Sequence, residues 1–284
     1  MRIKTLKKMM HKYGILFLLL FLFGNLTACG SKNILYDKNP DDSQEETQEN
    51  IMGSTNEDVT VKEDTEADVD REARKESYTS ILEGIYYNHT FPDGQPCDSD
   101  DKDAIALNQF SIFDIDRDGK EELIITYTNA CMAGMVELIY DFDNNTKIAN
   151  EEFREFPALT YYDNGIIEAE WSHNQGLAGD FWPYTLYQYD SQTDQYVNVG
   201  MVDAWDRSLS ETDYNGDPFP EESDTDGDGI VYYIMQDGEY KLEHPVDWAE
   251  YEKWRDSYMG NGKEVLVPFV YLTEENIKAF NNGM

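Results

Sequence analysis

The sequence is short of positive charge. Its 284 residues hold 22 Lys and Arg against 58 Asp and Glu, a formal charge of −36. Such a surface repels a phosphate backbone and excludes nucleic acid as a partner. It also speaks against adhesion to anionic lipid through charge. Histidine is scarce, four in all, and His11 stands in the first segment, which leaves little for a zinc site. No P-loop, HExxH, GxSxG or CxxC motif occurs, so these familiar signatures of phosphate, zinc, serine-hydrolase and dithiol chemistry are missing. No apolar run reaches the ~20 residues of a membrane-spanning helix.

What is present begins with a basic start, Arg2, Lys4, Lys7, Lys8 and Lys12, followed by the apolar stretch "GILFLLLFLFGNL". That order and length are those of a secretory signal segment. It ends in "LTACG", and Leu-x-Ala-Cys in this place resembles the lipobox of bacterial lipoproteins. The resemblance implies cleavage before Cys29 and a diacylglycerol on its thiol. It also implies a chain tethered to the cell membrane on the extracytoplasmic face. Two acyl chains suffice for stable anchoring where one is marginal. Residues 1–28 carry five basic side chains and no acid, so −36 becomes −41 once they are removed.

Residues 29–70 form the lipidated cysteine and an acidic, polar tether. It has too little apolar surface to offset the entropy of ordering, so it reads as extended and disordered. Residues 71–284 are expected to be one domain, of ample size to bury a core. Beyond Cys29 the cysteines are Cys97 and Cys131. An exported chain with an even pair suits a disulfide, and two free thiols fit as well.

"DREARKESYTSILEGIYYN" places apolar residues at three- and four-residue spacing and predicts a helix over 70–88. From there the period turns toward two. Strands are expected at 105–113, 122–127, 135–142, 147–153, 166–171, 185–189 and 196–201. "VELIYDFDNNTKIANEEF" and "YTLYQYDSQTDQYVNVG" read alike, as two hairpins around Asp/Asn turns. "GIVYYIMQDGEYKLE" reads as a third, about Asp237-Gly238. Asp247 and Thr273 cap two closing helices. The fold class is α+β: a mainly antiparallel β domain with an N-terminal helix and two C-terminal helices.

"FSIFDIDRDGKEELIITY" carries the clearest chemistry. Asp114, Asp116 and Asp118 occupy positions 1, 3 and 5 of a tight loop. Gly119 stands at position 6, Lys120 offers a backbone carbonyl at 7, and Glu122 follows at 9. Calcium takes six to eight oxygens, and alternate residues of such a loop supply them. Without a cation the like charges would repel and hold one another protonated. Position 12 is Ile125 on a strand-like run, so an EF-hand lacks its last ligand. The segment instead resembles the D-x-D-x-D-G-x-x-[DE]-L loop of FG-GAP and related repeats. That implies Ca2+ at a strand–loop–strand corner; a closed propeller needs four or more blades, only one complete loop is present, and a full integrin-like propeller does not fit this length. "DTDGDGI" repeats the alternation with Asp224, Asp226 and Asp228, though its ninth position is Tyr232.

"EAEWSHNQGLAGDFWPYTLY" gathers Glu168, Glu170, Trp171, Ser172, His173, Asn174, Gln175, Asp180, Trp182 and Tyr184. Tryptophans beside carboxylates suit a sugar, and two carboxylates suit glycoside hydrolysis if a cleft separates them correctly. The same residues also suit a braced structural loop. Two functions are carried forward. One is a non-catalytic, calcium-stabilised surface lipoprotein that binds an envelope or extracellular ligand. The other is an extracellular hydrolase acting on carbohydrate. Lipobox, acidic tether, aspartate loop, "SHNQGLAGDFWPY" and "DGDGIVYYI" together resemble a group of secreted lipoproteins of Gram-positive anaerobes, which implies a location and no reaction.

Overall fold

A computed structural model describes residues 66–284 except Gln175 and Met284. The signal segment, Cys29 and the tether up to residue 65 lie outside the described residues. Helix α1 (Glu66–Asn88) opens the domain, followed by a short α2 (Lys102–Ile105). Strands β1 (Gln109–Phe113), β2 (Glu122–Tyr127), β3 (Val136–Asp143) and β4 (Ile148–Glu155) then make an antiparallel meander, and β11 (Val270–Tyr271) joins its edge at β1.

A second meander repeats the plan with β5 (Leu159–Tyr162), β6 (Ile166–Glu170), β7 (Tyr184–Asp190) and β8 (Gln195–Asp206). Strand β9 (Ile230–Met235) extends it on one side and β10 (Glu264–Val265) on the other. Helices α3 (Trp248–Met259) and α4 (Glu274–Asn281) complete the chain. The class is α+β, with the N-terminal and C-terminal helices that the sequence predicts. Among the described residues no helix is long and apolar enough to cross a membrane.

The faces of the strands explain the layering. Along β2, Leu123 and Ile125 point into one core with Tyr78, Leu82 and Ile85 of α1 and Ile277 of α4. Ile124, between them, points the other way and meets Ile139, Phe153, Tyr161 and Ile167. That second core draws on both sheets, so they pack on each other. The far face of the second sheet buries Tyr184, Leu186 and Val202 under Tyr251 and Met259 of α3. The result is four layers: helix, sheet, sheet, helix. A strand covered on both faces must be apolar at successive positions, which is why "LII" replaces simple alternation. At Gly200 the ring of Trp254 comes so close that an added Cβ would lie 2.6 Å from it, so only glycine lets α3 settle there.

The two hairpins that read alike in sequence are alike in structure. "DNNTK" and "DSQTD" form the same turn: Asp143 and Asp190 each accept a bond from a backbone N–H two residues on and from a threonine hydroxyl three residues on. Lys147 and Asp194 then take positive φ, 58° and 55°. Each return strand also carries one extra residue. In β3–β4 the register slips between Ile139↔Phe153 and Tyr140↔Glu151, leaving Glu152 as the bulge. In β7–β8 it slips between Leu186↔Gly200 and Tyr187↔Asn198, leaving Val199. Glu152 and Val199 both stand nine residues beyond the turn aspartate.

Some expectations are corrected. Residues 105–108 are not strand. Asp101 caps α2, and Asn108, fully buried, accepts bonds from Thr128 and Asn129 and donates to Ile105 O, which ties the turn down before β1 starts. The segment after Asp237-Gly238 makes no return strand. β9 is paired along its length with β8, and the chain comes back to it only at the Tyr232↔Val246 bridge. Of the two alternatives left open for Cys97 and Cys131, a disulfide or two free thiols, the structure has the second. Both are free: Cys97 is half-buried against the first core, and Cys131 is exposed with its backbone N–H held by the Asp98 carboxylate. The two helix caps are as expected, with Asp247 accepting from Trp248 N and Thr273 from Asn276 N.

Candidate metal centre

The β1–β2 loop, residues 114–121, folds on itself through its aspartates. Asp116 Oδ1 accepts from Asp118 N at 2.8 Å and Asp118 Oδ1 from Lys120 N at 2.7 Å. Arg117 and Gly119 take positive φ, 66° and 92°; the second is a conformation glycine adopts without strain. These bonds curl the chain so that ligand oxygens of Asp114, Asp116 and Glu122 lie within 4.8 Å of one another. Glu122 is fully buried. Its Oε2 accepts from Ile115 N at 2.7 Å, while its Oε1 has no partner.

The site is larger than the loop. Asp116 also falls within 4.8 Å of Glu152 and Asp194 as a second group. Glu152 arrives from β4 because the bulge turns an extra side chain inward, a common use of bulges near functional sites. Asp194 arrives from the β7–β8 turn of the other sheet and accepts a bond from Tyr189 at 2.6 Å. Asp141 of β3 lies in the same neighbourhood.

Among the described residues, thirteen buried side-chain atoms lack a hydrogen-bond partner. Six of them belong to Asp114, Glu122, Asp141, Glu152 and Tyr196. Native interiors leave few such atoms, and their concentration in one place marks a missing ligand or an unusual cost. The electrostatics agree. Burial, reinforced by Asp116, Asp141 and Glu152, pushes Glu122 up to about 9. Burial and the nearby Asp116 and Asp194 push Glu152 up to about 8. Burial raises Asp116 and Asp141 as well. Seven carboxyls share this corner with Lys120, whose ammonium is bonded to Asp118 at 2.5 Å.

Not every expected ligand is brought in. Asp118 lies outside both groups, its oxygens taken by the backbone and side chain of Lys120. Sequence reasoning missed Glu152, Asp194 and Asp141. Only the tertiary fold brings them near, though the likeness of the two hairpins was a signal: where one carries Val199, the other carries a glutamate.

The second loop has the same backbone. Gly227 and Gly229 repeat the positive φ of Arg117 and Gly119, 73° and 80°. Asp226 accepts from Asp228 N and Asp228 from Ile230 N, as Asp116 and Asp118 do in the first loop. Oxygens of Asp224, Asp226 and Asp228 also lie within 4.8 Å of one another. No buried acid stands at position 9 here, since Tyr232 occupies it. Asp247 braces the loop from outside, accepting from Thr225 N, Thr225 Oγ1 and Asp226 N while it caps α3. An open cavity of about 560 Å³ lies beside it, lined by Asp206, Arg207, Glu211 and Asp224 among others.

The 168–184 segment is heavily braced. Glu168 pairs with Arg255 of α3 at 2.6 Å. Burial works against the Arg255 charge, and Glu168 more than offsets it, holding its pKa above the ordinary value. Trp171 Nε1 donates to Thr185 Oγ1, and Trp182 Nε1 to Trp171 O. Asn174 accepts from Gly176 N, and His173 is exposed and bonded to the neighbouring Ser172. Glu170 ends β6, while Asp180 and Trp182 are exposed in the loop that follows. Neither the 560 Å³ cavity nor a second of about 320 Å³ between β5 and residues 264–269 is lined by these residues.

No protein-family model, curated protein or solved structure matches the chain. The functional reading therefore rests on the site itself.

Proposed function

We propose that the chain is a lipid-anchored protein of the extracytoplasmic membrane face whose β domain is stabilised by calcium, and that it works as a binding or structural module. The observation that carries the calcium reading is the buried, unpartnered Oε1 of Glu122, set against Asp114 and Asp116 within the span of one coordination sphere. An all-oxygen carboxylate set suits a hard cation, and a flexible loop with many oxygens favours calcium over the stricter octahedron of magnesium. A bound ion would return the site carboxyls to their charged state and satisfy the orphaned oxygens together. The anchor reading rests on the order of basic start, apolar stretch and Leu-x-Ala-Cys29. The hydrolase reading gains no support from the 168–184 loop, because Glu168, the tryptophan N–H groups and Asn174 already serve internal contacts.

Terbium reports calcium sites through light passed from nearby tyrosines, and Tyr189 and Tyr196 neighbour this one. Stripped full-length protein is expected to sensitise terbium emission at its tyrosine excitation. Micromolar calcium should quench it, and millimolar magnesium should not. Glu122→Gln should lower that emission; emission equal to wild type would remove the loop from the reading. In cells, Cys29→Ala should move the protein from the membrane fraction to the medium or the signal-bearing precursor. Unchanged membrane retention would refute the lipid anchor.

A further inference from the structure

We infer that the acidic corner holds two cations rather than one, bridged by the Asp116 carboxylate, and that the second ion fastens the first sheet to the second. This rests on the calcium reading of the 114–122 loop and extends it. Calcium–oxygen bonds are about 2.3–2.6 Å long. Ligand oxygens of one ion therefore lie within roughly twice that distance of one another. Asp114, Asp116 and Glu122 meet this condition as one group, and Asp116, Glu152 and Asp194 as another. The five together do not, and Asp116 alone is common to both groups. One ion placed in the loop would leave Glu152 outside its sphere.

Glu152 needs an answer of its own. Both its carboxylate oxygens are shut off from solvent and neither has a hydrogen-bond partner. Protonation would not supply one, since the acid would then carry an unpartnered donor in the same place. Lys120, the ammonium of this corner, is already committed to Asp118. Fully buried Glu122, with an open oxygen of its own, belongs to the other group that Asp116 shares. The orphaned oxygens thus continue past the loop into the second group. Charge gives the same count. One divalent ion leaves the five grouped carboxylates with a net −3, whereas two leave −1, an ordinary balance for a calcium site.

The ligands of the second group come from three places: the β1–β2 loop, the β4 bulge and the β7–β8 turn. The first two belong to one sheet and the third to the other. An ion there crosses the inter-sheet boundary near the apolar core of Ile124, Ile139, Phe153 and Ile167. Tyr189, which bonds Asp194, also reaches toward Asp116 from the second sheet.

The test is calcium stoichiometry by equilibrium dialysis on stripped, detergent-solubilised full-length protein. It compares wild type with Glu152→Gln, Asp194→Asn and Asp114→Asn. The expected result is that Glu152→Gln binds one calcium fewer than wild type while keeping the terbium emission that depends on Glu122. Asp194→Asn changes an exposed turn residue and should lose the same single ion with the fold intact, as judged by cooperative melting. The double variant Glu152→Gln, Asp114→Asn should lose two. If Glu152→Gln and Asp194→Asn bind as many ions as wild type, the second site is refuted and the loop site stands alone. If Glu152→Gln loses the loop ion together with its own, the two groups are a single site and the bridged pair is wrong. If wild type takes up no calcium, both readings fall.

Discussion

Saturating calcium is expected to raise the melting temperature of the stripped protein by roughly 8–16 °C, and Asp116→Asn to abolish most of the rise. The size follows from mass action. A ligand that binds only the folded state at about 1,000 times its dissociation constant adds ~4 kcal/mol. For a domain of this length, 1 kcal/mol is worth about 2–4 °C. Asp116 is the residue to change because it belongs to both acidic groups, whereas Asp118, taken up by Lys120, should matter much less.

The control is the chelated state, where the order should reverse. Without an ion, the charge of Asp116 crowds the corner and raises its neighbours Glu122 and Glu152, while its bond from Asp118 N is one that an asparagine oxygen can also accept. The neutral amide then relieves repulsion, so Asp116→Asn should melt at or above wild type in chelator and below it in calcium. A variant that is less stable by the same margin in both conditions would mean that Asp116 is a packing residue, and the metal centre would lose its main support.

The second large effect is a pH dependence carried by Glu137, away from the acidic corner. Glu137 sits on β3, 5% exposed, and accepts a bond from the buried Tyr161 hydroxyl at 2.5 Å. Burial pushes its carboxyl up to about 7 from an ordinary 4.5. The unfolded chain therefore loses this proton first. Between about 4.5 and 7 the folded state binds more protons than the unfolded one, so stability falls as pH rises through that window. Below it Glu137 costs nothing; above it the cost levels off at about 3 kcal/mol, from the 1.36 kcal/mol that each pH unit of displacement represents.

Glu137→Gln keeps an acceptor for Tyr161 and removes the titration. The variant and wild type should melt within a degree or two of each other near pH 4.5. Above pH 7.5 the variant should melt higher by roughly 6–12 °C. Parallel curves for the two proteins across that range would show that Glu137 titrates normally.

The helices, most of the strands and the two hairpins were legible because their cause is local. Tyr78, Ile81, Leu82 and Ile85 recur at helical spacing, and "DNNTK" and "DSQTD" hold their turns through side chains two and three residues away. The missed pieces are those in which distant chain decides. β5, β10 and β11 are two to four residues long, too short to show a period, and exist because a sheet edge was there to be paired. Residues 105–108 look strand-like until Asn108 finds Thr128 and Asn129 across the fold. The "QDGEYKLE" half of the third hairpin fails because β8, twelve residues long, already occupies one edge of β9 and the chain leaves for α3.

The same division runs through the candidate metal centre. Alternating aspartates, a glycine at the sharp turn and a glutamate at position 9 mark a tight acidic loop before any fold is known, because the spacing sets which oxygens the curled backbone can bring together. Alternation alone did not tell which aspartates converge: Asp114 and Asp116 do, while Asp118 turns to Lys120. It also could not reveal that Glu152 and Asp194, 36 and 78 residues beyond Asp116, complete a second group. That depended on a bulge in one sheet and a turn in the other meeting at a shared boundary. By itself the sequence determined the charge, the class of fold and the acidic loop that could hold a cation. The packing of the two sheets decided which carboxylates are denied water there.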